Sequence, residues 1–145
     1  MDKTTVNLEE VKENVDRFCL RNAEFLGGID FVVGMSRGGL VPAALLSARI
    51  DKPLVAAYIN RQDEIFFDRP DWIKDENILV VDDIIRSGKT LWLLKKRLSE
   101  FYRPASIDFF TLYRVRPLAQ AKYNLTAFFQ EINDDIIFPW DYDRQ

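Results

Sequence analysis

Residues 78 to 90 read Ile78-Leu79-Val80-Val81-Asp82-Asp83-Ile84-Ile85-Arg86-Ser87-Gly88-Lys89-Thr90. This stretch constrains the fold more than any other. Four consecutive apolar residues, Ile78 to Val81, read as a strand covered on both faces, the habit of a parallel sheet with helices packed on each side. Two adjacent carboxylates follow, then a turn of small residues, and then a helical pattern from Thr90 to Phe101 with Leu91, Leu93, Leu94 and Leu98 at helical spacing. A strand that runs through a short turn into a helix is half of a βαβ unit.

The rest of the chain repeats the alternation. Asn7-Leu8-Glu9-Glu10 has the form of a capping box. Val11, Val15, Phe18, Cys19 and Phe25 then mark one helical face, which Gly27-Gly28 end. Ile29 to Val33 reads as a short buried strand, with the loop Gly34-Met35-Ser36-Arg37-Gly38-Gly39 after it. Leu40 to Ile50 reads as a helix whose first turn tolerates Pro42. Pro53 to Ile59, Ile107 to Tyr113 and Ala127 to Ile132 read as further strands. Residues 60 to 76 are the most polar and irregular, and a loop of that length in a small domain usually carries function. The expected class is α/β, with a mainly parallel sheet in one domain spanning residues 1–145. In such sheets ligands bind beyond the carboxyl ends of the strands. The loops 34–39 and 82–89 both lie at such ends and are expected to face one crevice.

Composition narrows the chemistry. The 145 residues include no histidine and a single cysteine. Histidine-dependent triads, imidazole proton shuttles, cysteine zinc clusters and an internal disulfide are therefore excluded. Cys19 lies in an apolar pattern and reads as a core thiol. Catalysis must rest on carboxylates, Arg, Lys, hydroxyls, backbone amides or a hard cation. Twenty basic against 23 acidic residues give a net charge of −3, without the basic surplus of a nucleic-acid binder. No apolar stretch is long enough for a signal peptide or a membrane span, so a cytoplasmic protein without membrane or nucleic-acid partners is expected.

The helix that follows Asp82-Asp83 begins with unpaired amides at the positive end of its dipole, and Ser87 and Thr90 add hydroxyl donors suited to phosphate. Adjacent carboxylates suit a hard cation or the hydroxyls of a sugar. Gly88-Lys89-Thr90 mimics the end of a Walker A loop, but that pattern needs Gly where this chain has Asp83. An opening strand of a receiver domain is also unsuitable, because too little chain follows it. Helix capping alone would explain one carboxylate, and neither the other nor the Ser-Gly-x-Thr turn.

Val80 to Thr90 resembles the phosphoribosyl pyrophosphate (PRPP) motif of type I phosphoribosyltransferases. Met35-Ser36-Arg37-Gly38-Gly39-Leu40-Val41-Pro42-Ala43 resembles the pyrophosphate loop of the purine members, the xanthine-guanine branch above all. Ile136-Ile137-Phe138-Pro139-Trp140-Asp141 resembles that branch's C-terminal hood, here placed at about 128–145. The resemblance implies the type I phosphoribosyltransferase fold and a Mg²⁺-dependent transfer from PRPP to a nitrogenous base, a 6-oxopurine first among them. It implies that Ser36, Arg37, Gly38 and Gly39 hold pyrophosphate, and makes Ser36–Arg37 a candidate for a cis peptide. Asp82 and Asp83 would hold the ribose hydroxyls, directly or through the metal, with Asp83 the first choice of metal contact. Ser87, Gly88, Lys89 and Thr90 would cradle the 5′-phosphate. Arg37, Asp82 and Asp83 are the implied catalytic residues, and a homo-oligomer is the implied assembly.

Three positions depart from that pattern, all on the base side. Arg86 stands where the purine members carry an Asp, and a guanidinium offers donors only and cannot move a proton. Val115 falls where a Lys reads the base, with Arg114 and Arg116 beside it as substitutes. Asp135 falls where an aromatic stacks on the purine, while Ile136 still offers an apolar surface and a backbone carbonyl. Arg86 therefore leaves room for a different base with an acidic edge. The other reading is a catalytically weak or inactive regulatory protein that binds PRPP or a nucleotide on the same fold.

Overall fold

The computed structural model describes residues 3–67, 75–101, 104–116, 123 and 127–142. Its elements, in chain order, are β1 (Lys3–Thr5), α1 (Leu8–Arg21), α2 (Ala23–Gly27), β2 (Phe31–Met35), α3 (Leu40–Ile50), β3 (Leu54–Ile59), β4 (Ile65–Phe67), β5 (Asn77–Ile85), α4 (Lys89–Phe101), β6 (Ser106–Val115), β7 (Phe128–Ile132) and β8 (Asp135–Ile137). The capping box forms as its sequence requires: Asn7 Oδ1 accepts from the Glu10 amide at 2.8 Å, and Glu10 reaches back to the Asn7 amide. The helix expected to run to Gly27 is broken at Asn22, which adopts φ −129° and donates from its side chain to the Phe18 carbonyl at 2.9 Å. A side chain that competes for the backbone in this way ends a helix that apolar spacing alone would continue.

Six strands form the central sheet in the order β4-β3-β2-β5-β6-β7. All neighbours are parallel except β3 and β4, which are antiparallel. Period-two alternation divides the strand residues between two faces. Val32, Leu79 and Val81 pack with Val11, Val15 and Phe18 of α1 and with Ala43 and Leu46 of α3. Phe31, Val33, Ile78 and Val80 pack with Leu91, Leu94 and Leu98 of α4 on the other face. Double-sided burial is why Ile78 to Val81 are all apolar, at 0% exposure each. Cys19 is buried in the α1 layer, and that burial raises its pKa, as suits an inert core thiol.

Several boundaries differ from expectation, each for a local reason. The strand β5 continues through Asp82 and Asp83 to Ile85 because β6 pairs with it as far as Ile85–Arg114. The carboxylates thus stand on a strand end rather than in a loop. Within residues 60–76, Asn60 Oδ1 accepts from the Gln62 and Glu64 amides at 2.9 Å each, closing a turn that leads β4 back along β3. The part of that stretch from 68 to 74 lies outside the described residues. The hood begins after β7, since β7 is the edge strand of the main sheet. Its β8 pairs in parallel with β1, joining Thr4 to Ile136 across the chain. Among the described residues, no helix is long and apolar enough to cross a membrane.

Candidate active site

β2 and β5 are parallel neighbours, with Gly34 opposite Val81. Their carboxyl ends therefore open at the same edge, and the segments that follow them meet there. The Ser36–Gly39 turn is tied down by Ser36 N to the Ala57 carbonyl at 2.7 Å and Gly39 N to the Met35 carbonyl at 2.8 Å. The Ser36–Arg37 peptide is cis, as the resemblance suggested. Gly38 and Gly39 are required by close approach. A Cβ on Gly38 would land on the Asp83 carboxylate, and one on Gly39 would lie 2.5 Å from the Val81 carbonyl oxygen. The two loops expected to share a crevice are thus in contact through Gly38 and Asp83. Arg37 is exposed and makes no ion pair among the described residues, so its charge is available to an anion.

The Asp83 carboxylate is held at both oxygens. Oδ1 accepts from the Ile84 amide at 2.7 Å, and Oδ2 accepts from the Trp140 indole Nε1 at 3.0 Å. Asp82 accepts from the Asp83 amide at 2.8 Å. Burial, with the Asp83 charge alongside, pushes the Asp82 pKa well above the usual carboxylate range, against a smaller pull from Arg86. After the strand, the chain turns at Gly88 (φ 82°), and Ser87 Oγ accepts from the Lys89 amide at 3.2 Å where α4 begins. Residues Asp82 to Leu91 line a cavity of about 270 Å³. A larger cavity of about 580 Å³ lies between α1 and β7. Its lining includes Arg17 and Arg21 but no carboxylate or hydroxyl, so the smaller cavity is the one with the chemistry of a sugar-phosphate site.

The positions that depart from the pattern come together in an unexpected way. Arg86 Nη2 and Asp135 Oδ1 form an ion pair at 2.8 Å, joining the turn after β5 to β8. The two departures from the family pattern are therefore partners. Ile136 is 2% exposed, because pairing with β1 turns its side chain into the core, so it does not present the apolar surface expected over a base. Val115 is buried, Arg114 lies 5.1 Å from the Phe129 ring centroid, and Arg116 pairs with Glu131 at 2.6 Å. Lys89 Nζ is engaged by Asp63 Oδ2 at 2.7 Å, which raises the Lys89 pKa. Trp140 and Asp63 escaped the sequence reading. Trp140 lay inside the quoted hood motif, but its partner is 57 residues away. Asp63 stood in a charged stretch without a pattern.

Against this geometry, the sequence pattern of the phosphoribosyl transferase domain matches residues 9–145. The chain belongs to the phosphoribosyl transferase domain family. Within the family it is similar to xanthine-guanine phosphoribosyltransferase of Cereibacter sphaeroides, at 30% identity across 76% of this chain and 68% of that protein. The enzyme of the same name from Desulfotalea psychrophila is 27% identical across 87% of this chain and 77% of that protein. The purine phosphoribosyltransferase from Pyrococcus horikoshii superposes with a TM-score of 0.79 at 25% identity, over 97% of this chain and 94% of that one. The expected phosphoribosyltransferase fold and enzyme class therefore hold at the level of the family.

Proposed function

We propose that this phosphoribosyltransferase moves the 5-phosphoribosyl group of PRPP to a purine-like base, a 6-oxopurine first among them, and releases pyrophosphate. The observation that carries the reading is the packing of Gly38 on Asp83, which sets an arginine-bearing anion loop against a carboxylate and phosphate turn around one crevice. A base nitrogen lone pair attacks the anomeric carbon, the C–O bond to pyrophosphate breaks, and its electron pair leaves with the pyrophosphate. A neutral base gives up its proton to solvent. Positive charge grows on the sugar and negative charge on the leaving group, so positioning and electrostatics do most of the work. Arg37 meets the leaving group with Ser36, Gly38 and Gly39 beside it. Asp82 and Asp83 hold the ribose hydroxyls, and Ser87, Gly88, Lys89 and Thr90 hold the 5′-phosphate.

The donor set fits Mg²⁺ in its usual substrate-bound form. Asp83 and Asp82 supply two carboxylates, and the described residues contain no cluster of three or more metal-ligating side chains. Mg²⁺ characteristically takes one or two carboxylates and completes its shell with water and substrate phosphate. When bound, it would supply charge neutralisation at the diphosphate. Tyr58 and Phe66, exposed on β3 and β4, offer an apolar surface for a homo-oligomer of this chain.

The Arg86–Asp135 pair favours a second reading, a PRPP- or nucleotide-binding regulator without base transfer, because it spans the base side of the crevice. A pyrophosphate-release screen over common bases, run after calorimetric titration of PRPP with Mg²⁺, separates the two. Turnover of a 6-oxopurine is the expected result. Tight PRPP binding without turnover on any base would leave the regulator standing.

A further inference from the structure

Among the described residues, the hood meets β5 and the turn after it through Asp135 on Arg86 and Trp140 on Asp83. The second is built with more constraint than a chance contact needs. Phe138 is 1% exposed and anchors the segment in the α1-side core. The Trp140 ring stacks on Phe138 at 4.8 Å between centroids and 7° between planes. The turn is closed in both directions, Phe138 N to Asp141 Oδ2 at 2.9 Å and Asp141 N to the Phe138 carbonyl at 3.0 Å. This fixes the indole plane, and with it the direction of its single N–H. That N–H meets Asp83 Oδ2, the oxygen against which Gly38 of the anion loop packs.

We propose that Trp140 is a positioning residue for Asp83. It holds the carboxylate at the junction of the sugar and pyrophosphate halves of the site, and so couples the hood to PRPP binding. The proposal rests on the reading above, in which Asp83 belongs to the PRPP site. An indole is suited to this role. It donates without carrying charge, so it orients Asp83 without placing a cation where ribose hydroxyls or a divalent cation would bind. A Lys or Arg there would neutralise the group instead. The coupling also explains a Trp at a site where a Phe would stack on Phe138 equally well.

Trp140→Phe keeps the stack and removes only the donor. Titration of PRPP with Mg²⁺ should show affinity about tenfold weaker, the scale of losing one hydrogen bond to a charged acceptor. The Mg²⁺ concentration for half-maximal binding should rise, while thermal stability without ligand stays near wild type. In proton–nitrogen spectra the Trp140 indole resonance, one of three and identified by its loss in Trp140→Phe, should move in Asp83→Asn and on adding PRPP with Mg²⁺. That signature needs no folded Trp140 variant beyond the assignment, and a side chain that only packs would not respond to ligand. Weakened PRPP binding in Asp83→Asn with wild-type affinity in Trp140→Phe, or an indole resonance indifferent to ligand, would overturn the coupling alone. Unchanged PRPP affinity in Asp83→Asn would overturn the assignment of the site as well.

Discussion

Asp82 and Asp83 are adjacent on β5, yet their environments differ. Asp83 is clamped at both oxygens, whereas Asp82 sits deep beside a like charge and its pKa is raised, first by burial and then by Asp83. A raised folded pKa means the native state binds the extra proton. Stability is therefore fully present below the ordinary carboxylate pKa and declines as pH rises through the raised value. Asp82→Asn removes that decline and keeps an acceptor for the Asp83 amide. It should stabilise the ligand-free protein at neutral pH by about 1 kcal/mol, or about 2–4 °C in Tm at this size. Thermal unfolding should show the gain shrinking as pH falls towards about 4, and a gain independent of pH would contradict the assignment. Arg86 and Asp135 act as one unit, so Arg86→Asp alone would set two carboxylates face to face. The useful variant is Arg86→Asp with Asp135→Asn, which offers a proton acceptor at the loop. Its transfer to guanine, xanthine or hypoxanthine should exceed wild type. Equal rates would mean that Arg86 lies outside the path of the base.

The β3–β4 hairpin connects to the turn after β5 through Asp63 and Lys89. The hairpin was not legible in the sequence, since three apolar residues among charges give no period. What forms it is the Asn60 side chain, which caps two amides at 2.9 Å. Asp63 is then presented to Lys89 in the left-handed region, at φ 60°. A Lys89 ammonium that meets the 5′-phosphate must first leave Asp63. Both groups are nearly half exposed, so water screens the pair and it contributes little to stability. Asp63→Ala should therefore leave stability almost unchanged and strengthen PRPP binding modestly, by about two- to fivefold. Weaker binding in that calorimetric comparison would show that Asp63 organises the turn rather than competing with its ligand.

What the sequence makes legible is whatever local pattern encodes. Ile78 to Val81 had to be a doubly buried strand, Leu40 to Ile50 a helix, and the two loops had to open at one edge. The contacts that define the candidate site are of another kind. Trp140 with Asp83, Arg86 with Asp135, and β1 with β8 join residues 49 or more positions apart, and no periodicity records such pairs. Asn22 is a milder case: its position within an apolar face hid a side chain able to end the helix. The sequence thus carried the scaffold and the meeting of the two loops at one sheet edge, while the contacts of the C-terminal segment depended on the chain folding back over that edge. In the proposed function the paired carboxylates on β5 serve the ligand rather than the fold. Calorimetric titration of PRPP with Mg²⁺ against wild type and Asp82→Asn/Asp83→Asn tests it most directly. The double variant should be folded, at least as stable as wild type without ligand, and without Mg²⁺-dependent PRPP binding; a folded double variant with wild-type affinity would rule out that role for the carboxylates.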